Sequence, residues 1–367
     1  MTIGRISKTG ITRRELVKFG GISAIGMAAG LAGCGGTGGE SAATSGSSST
    51  YKVAMIMTGI ITDGGWDQGH YESLRRAVES HPNWEMLEPK ENVTDADSAS
   101  AAQSYVDMGV NLLVANGNEF ASALSDVVAD AADSHPEVNF LITNTDPKSE
   151  LIDYETLDHV MTVLPNFRQI GCLAGIVAGL MTRSKSIGFI AGMKLPSSTA
   201  KYAAFLAAAQ KVNPGTTGQY NFEAGFTDAS FGTKLTEQWI NSKNVDVMWG
   251  DASAVDNGAR QALEAAGADT HFDIAQPIDI LGEDQPTVIA STVSDWMIGT
   301  AMDKVEDGSF GGGIAIEANM EDGGVSYGKF SDKVPSEVQS KIVELADQVK
   351  EGSFLSDEEY EAVYNTL

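Results

Sequence analysis

Gly324-Val325-Ser326-Tyr327-Gly328 has the spacing of a hydrolase nucleophile elbow, in which a serine is exposed on a sharp turn between a buried strand and a helix. Its flanks supply neither element. The acidic turn Glu321-Asp322-Gly323 precedes it, Lys329-Phe330 follows, and every histidine lies upstream, so the order serine, acid, histidine is not met. A β-hairpin is the expected structure here. His70, His81, His135, His159 and His271 are scattered without metal-ligand spacing, and Cys34 and Cys172 are too few for a multi-thiolate zinc site. The glycine-rich runs at 35–39 and 308–313 lack the strand, lysine and helix of a phosphate-binding loop. No catalytic residue, metal or cofactor is expected.

Binding chemistry is better represented. Thr58-Gly59-Ile60-Ile61-Thr62-Asp63-Gly64-Gly65-Trp66-Asp67-Gln68-Gly69 sets acids and a large aromatic near a helix start. An indole face stacks on a planar ring, and a carboxylate accepts hydrogen bonds from ring N–H or sugar O–H groups. Asn116-Gly117-Asn118-Glu119-Phe120, Asn144-Thr145-Asp146, Met193-Lys194-Leu195-Pro196, Gly225-Phe226-Thr227-Asp228 and Gly250-Asp251-Ala252-Ser253 repeat the mixture of polar groups and rings. Any one of them also reads as a simple helix cap, Asp63 included. Together they point to a cleft for a small, neutral, polar ligand and disfavour an anionic one.

These loops follow predicted strands. Val53–Met57, 111–115 and 139–143 alternate with helices over 69–80, 95–108 and 121–134, a repeated βα pattern that implies a parallel sheet. A second set follows, with strands at 186–191, 217–222 and 245–249 and helices at 166–181, 199–212, 229–241 and 257–266. The run 287–293 and a helix over 296–306 are expected to return to the first lobe, and a helix over 336–350 closes the chain. In open α/β sheets ligands bind beyond the carboxyl ends of the strands, where helix N-termini offer free N–H groups. The apolar stretch 166–181 is too short to span a bilayer and reads as a buried helix packed through Gly171, Gly175 and Gly179, with Cys172 as a small core residue.

The chain has 367 residues, 24 basic and 50 acidic, for a formal charge of −26, which repels nucleic acid and excludes it as a partner. Residues 1–33 differ in kind: Arg5, Lys8, Arg13, Arg14 and Lys18 precede an apolar, small-residue run from Phe19 to Gly33. Thr12-Arg13-Arg14-Glu15-Leu16-Val17-Lys18 resembles a twin-arginine export signal, and Leu31-Ala32-Gly33-Cys34 resembles a lipobox. The expected product is an exported lipoprotein held at the extracytoplasmic face of the cell membrane by lipid on Cys34. Residues 34–50, rich in Gly, Ser, Thr and Ala, form its flexible linker.

Asp63-Gly64-Gly65-Trp66-Asp67-Gln68, Gly117-Asn118-Glu119-Phe120, Leu173-Ala174-Gly175, Ile187-Gly188-Phe189-Ile190-Ala191-Gly192-Met193 with Pro196, Asn213-Pro214, Phe226-Thr227-Asp228 and Asn257-Gly258 occur in an order that resembles the basic membrane protein, or PnrA-like, family of substrate-binding lipoproteins. The resemblance runs from about Tyr51 to the C-terminus. It implies a type I periplasmic-binding fold, an α/β architecture of two doubly wound parallel-sheet lobes joined by a hinge, acting as a monomer with an ABC permease. Characterised relatives bind purine nucleosides, which makes a purine nucleoside or nucleobase the expected solute. The implied boundaries are 51–163 plus about 288–325 for the first lobe and 164–287 plus about 326–367 for the second. Trp66 stands where the family usually has a base-stacking phenylalanine, and Asp63 where an acid or amide meets the ligand's polar edge. Asp67, Asn118, Phe120, Phe226, Asp228 and Asp251 complete the expected contacts. Ser294-Asp295 occupies a region where many members have a lysine, and Asp279 or Asp284 stands for the usual ribose-binding segment. A receptor that signals through a membrane partner is the alternative reading. A nucleoside hydrolase would need a calcium-binding aspartate cluster that Asp63 and Asp67 alone do not make.

Overall fold

The computed structural model describes residues 51–145, 158–282, 284–312 and 314–367. The leader, Cys34, the linker and Asp146 lie outside the described residues.

The first lobe is built on β1 (Tyr51–Ile56), β2 (Trp84–Met86), β3 (Leu112–Ala115), β4 (Asn139–Thr143), β5 (Val160–Pro165) and β11 (Ile314–Ala318). They form one parallel sheet in the order β11-β5-β4-β3-β1-β2. A sheet covered on both faces needs near-continuous apolar strands, and β1 divides its side chains accordingly. Val53 and Met55 enter one buried cluster with Leu74 and Trp296, while Ala54 and Ile56 enter the other with Phe120 and Phe140. The covering helices are α1 (Trp66–Ser80), α2 (Ser98–Asp107), α3 (Glu119–Ala123), α4 (Ser125–Ser134) and α9 (Ile298–Asp307).

The second lobe repeats the plan with β6 (Ser186–Ala191), β7 (Thr217–Asn221), β8 (Val247–Asp251), β9 (Phe272–Ala275), β10 (Val288–Ser294) and β12 (Val325–Tyr327). The order is β12-β10-β9-β8-β6-β7, parallel except for β12, which runs antiparallel to β10. Its helices are α5 (Phe167–Met181), α6 (Pro196–Val212), α7 (Ala229–Lys243), α8 (Ala254–Gly267), α10 (Ser336–Lys350) and α11 (Asp357–Tyr364). Helices α5 and α6 touch backbone to backbone: a Cβ on Gly175 would lie 2.2 Å from the Phe205 carbonyl oxygen. Cys172, on the same helix, is a core residue, and burial pushes its thiol up to about 12.

Three expectations are corrected. The run 288–294 stays in the second sheet beside β9, and the chain returns to the first lobe only afterwards, with α9 and β11. The expected hairpin at Ser326 is a single strand, β12, paired to the sequence-distant β10. The helix over 121–134 is broken at Leu124 into α3 and α4.

Among the described residues three crossings join the lobes, from β5 to α5, from β10 to α9 and from β11 to β12, and they are tied to one another. The Asn166 N–H donates to the Ala318 carbonyl at 2.9 Å, and the Asp295 N–H to the Gly324 carbonyl at 2.9 Å. Asp295 also accepts from Ser73 and Arg76 of α1, so the acid in the region of the family's lysine anchors a crossing to the first lobe.

Candidate functional site

The loop from β1 to α1 turns on Asp63. Its Oδ1 accepts from the N–H groups of Gly65 (2.8 Å) and Gln68 (3.0 Å), and its Oδ2 from that of Asp67 (3.3 Å). A carboxylate is favoured at these N-terminal donors of a helix, which have no partner within it. Across the lobe boundary, the Ser253 hydroxyl donates to Asp63 Oδ2 at 3.4 Å.

Trp66 opens α1 with its indole half-buried. The ring meets Trp296 edge-on at a centroid distance of 4.7 Å and His70 at 4.4 Å. Its Nε1–H donates to Asn116 Oδ1 at 2.6 Å. Because an indole only donates, this bond fixes the Asn116 amide with its nitrogen toward Asp67, where it donates to Oδ1 at 2.9 Å. His70 beneath is fully buried and stacked on Trp296 at 3.8 Å; burial holds its imidazole down at about 3, so it stays neutral. Nδ1 faces the Trp66 carbonyl at 2.9 Å and therefore carries the proton, leaving Nε2 to accept from the Thr143 hydroxyl at 2.8 Å.

Asp67 is buried, and desolvation, reinforced by the charges of Asp63 and Glu119, raises its carboxyl to about 7 against the donors Gly59 and Asn116. Asp256, in the first turn of α8, is raised to about 7 as well, by burial above all. Its Oδ2 accepts from the Ala252 N–H at 2.9 Å, while its buried Oδ1 has no partner among the described residues. Charging either group disfavours the fold. The stability they contribute is complete below the ordinary carboxylate pKa of 3.8 and is lost as pH rises through about 7. Buried, neutral His70 acts the other way across its ordinary 6.5, but the two carboxyls outweigh it, so the melting temperature is expected to be higher at about pH 5.5 than at about pH 8, and Asp256→Asn to lessen the difference. A wild-type Tm that rises over that interval would contradict this assignment.

The other expected contacts divide. Phe226 is 42 % exposed, lies over Gly192, and with Met193 and Leu195 forms an uncovered apolar rim on the second lobe. Asn118 is exposed at the start of α3. Asp251 ends β8 and pairs with the nearly buried Lys201 ammonium at 2.8 Å. Phe120 is 1 % exposed and sealed in the first-lobe core, so its ring has no face to offer a ligand. Asp228 caps α7: the hydroxyl and N–H of Ser230 and the Phe231 N–H hold its carboxyl below the usual range. Asp279 accepts from the Ser291 hydroxyl and from the N–H groups of Leu281 and Lys329, pinning its own loop to the sheet. Asp284 lines a cavity of about 280 Å³ with Asn257, Arg260 and Glu264. Asn116 and Ser253 lie in the strand-exit loops that the sequence marks, but neither periodicity nor composition tells which loop residue turns inward.

The first-lobe loop carrying Trp66 and the second-lobe loops carrying Ser253 and Phe226 are adjacent. Gly65 packs on Ser253, and the next residue, Ala254, donates its N–H to the Phe226 carbonyl at 3.0 Å. Strand-exit loops of two doubly wound lobes thus meet at one place and bring a half-buried indole, an exposed phenyl ring and several hydrogen-bonding groups to it. This is the architecture of a two-lobed solute-binding protein.

Residues 50–354 match the family Bmp, ABC transporter substrate-binding protein PnrA-like, and the chain belongs to that family. It is 26 % identical over 359 residues to the ABC transporter nucleoside-binding protein BmpA of Lactococcus lactis subsp. cremoris, covering 90 % of this chain and 96 % of the relative. It is 23 % identical over 306 residues to the putative ABC transporter glucose-binding protein TsgA13 of Haloferax volcanii, covering 82 % and 72 %. In fold it is similar to a solute-binding protein of an ABC transporter system from Conexibacter woesei, with a TM-score of 0.68 at 19 % identity over 82 % of this chain and 97 % of that one. The chain is a substrate-binding protein of an ABC transporter, from a family that binds rather than transforms its substrate.

Proposed function

We propose that the protein captures a purine nucleoside or nucleobase between its lobes and delivers it to an ABC permease, tethered to the membrane by lipid on Cys34. The observation that carries this reading is the Trp66 indole, half-buried at the lobe junction and held by Asn116, His70 and Trp296 from one side. Phe226 stands exposed on the neighbouring loop of the other lobe. A flat ring entering there stacks on the indole, and the phenyl ring closes over it. Asn118 and the Asp63 carboxylate serve as partners for ring N–H and sugar O–H donors, whereas Asp67 is buried and its carboxyl is taken up by Asn116 and the Gly59 backbone.

The same acids argue against a phosphorylated ligand. Lys201 is already paired with Asp251, and Lys194 on the rim bonds the main-chain oxygen of Leu367 at 2.8 Å. A nucleotide would therefore bring two negative charges against the Asp63 carboxylate, where both cations are already engaged.

A thermal-shift panel of adenosine, guanosine, adenine, adenosine 5′-monophosphate, glucose and amino acids tests the proposal. At a ligand concentration of about 100 Kd, binding to the native state adds about 2.7 kcal/mol. Nucleosides or adenine are expected to raise the Tm, and the monophosphate to leave it unchanged. A shift with glucose alone would replace the purine reading with a sugar one.

A further inference from the structure

Ser253 stands at the N-cap of α8, where a serine ordinarily turns its hydroxyl onto the N–H groups of its own helix. It makes no such bond. The hydroxyl crosses the lobe boundary instead and donates to Asp63 Oδ2. Its backbone turns sharply there: Ser253 has φ 48° and ψ −112°, a left-handed conformation that non-glycine residues seldom adopt and that concentrates at functional sites, in a turn closed by the Val255 N–H on the Ala252 carbonyl at 3.0 Å. The facing surface is cut to match. A Cβ on Gly65 would lie 2.7 Å from Ser253 Oγ and 3.2 Å from its Cα, so only glycine allows the two loops to approach this closely. On its own side Asp63 is held by the N-terminus of α1, which fixes the acceptor in place.

We propose that Ser253 is a positioning residue that latches the second lobe onto the first, its hydroxyl bonded across the boundary and its strained backbone supported there by Asp63 and Gly65. In the open protein the contact is gone and the backbone relaxes. The latch makes a closed state available before any ligand contributes, so a solute adds its contacts to both lobes on top of a contact already built into the chain. Only interactions that differ between two states shift their populations, and this one exists in the closed state alone. The inference rests on reading the chain as a receptor whose lobes open and close, and is indifferent to what the ligand is.

The test reads lobe separation without ligand. In a Cys34→Ser background, nitroxide labels on Ser100→Cys of α2 and Ser242→Cys of α7, both exposed, report the inter-lobe distance by pulsed electron resonance, while buried Cys172 stays unlabelled. A double-mutant cycle of Ser253→Ala and Asp63→Ala is expected to show a coupling of roughly 3- to 10-fold in the closed-to-open ratio, the net value of one ordinary hydrogen bond, in keeping with its length of 3.4 Å. Ser253→Gly and Ser253→Ala both lack the hydroxyl, but glycine adopts the left-handed conformation freely. The glycine variant is therefore expected to close at least 3-fold more than the alanine variant, a difference that a purely structural serine would not produce. Single effects that simply multiply in the double variant, or equal closure of the glycine and alanine variants, would overturn the proposal. Because no solute enters the experiment, an absence of nucleoside binding leaves its result intact.

Discussion

Affinity for the proposed purine ligand is expected to fall roughly 5- to 150-fold when Trp66 is replaced by alanine. This corresponds to the about 1–3 kcal/mol that stacking a base on an aromatic side chain contributes. The indole is well suited to that role because its position is set before a ligand arrives. Asn116 fixes its N–H edge, and His70 and Trp296 back its ring, so little side-chain freedom remains to be lost on binding. Trp66→Phe keeps an aromatic face and loses the indole N–H that bonds the Asn116 side chain and carbonyl. It is expected to bind within a few-fold of wild type. Calorimetric titration of both variants checks the pair, and an unchanged dissociation constant for Trp66→Ala would remove the indole from the site.

The largest stability effect is expected in the second lobe, at Arg260. Its Nε donates to Asp273 Oδ2 at 2.8 Å and its Nη1 to Asn257 Oδ1 at 2.7 Å, with both charged side chains almost wholly buried. Removing one partner leaves the other charge without compensation in a low-dielectric interior, at a cost of about 3–5 kcal/mol. Arg260→Met is expected to destabilise the protein by that amount. It also takes away the cation that opposes the raised Asp256 carboxyl, so the loss should deepen as pH rises. The double variant Arg260→Met, Asp273→Leu replaces the pair with apolar groups and is expected to recover most of the loss. Denaturant melts of the three proteins decide the matter: a loss below about 1 kcal/mol for Arg260→Met would show that the pair is solvated or dispensable.

Much of the fold was legible because its strands are apolar throughout and its helices carry clear stops. Asn139–Thr143, Ser186–Ala191 and Ser336–Lys350 were read with the bounds the structure gives. The placement of β10 was not, since a run such as Val288-Ile289-Ala290 is equally suited to either sheet and its pairing with β9 is a long-range contact. The same holds for β12, whose partner lies some 30 residues earlier rather than across a turn. The site was legible as loops more than as residues. Asp63 and Trp66 lie at the lobe junction, but Phe120 and Asp228 answer to the physics of core and cap, which use the same residue types as a binding surface does. Asn116 emerges only when its two bonds of opposite sense, to an indole donor and to a carboxyl, are seen together. Ser253 emerges only from its backbone angles, which no single sequence displays.

The central claim is that a flat ring is held between the lobes with the Trp66 indole as its platform. A crystal structure of the protein with a purine nucleoside tests it directly. The account predicts the base parallel to and in van der Waals contact with the Trp66 indole, covered by Phe226, with donors of the ligand directed at Asp63 or Asn118. A nucleoside bound elsewhere, for instance in the cavity of about 360 Å³ lined by Arg168, Cys172 and Phe354 between α5 and the connection from α10 to α11, with the Trp66 ring untouched, would contradict it.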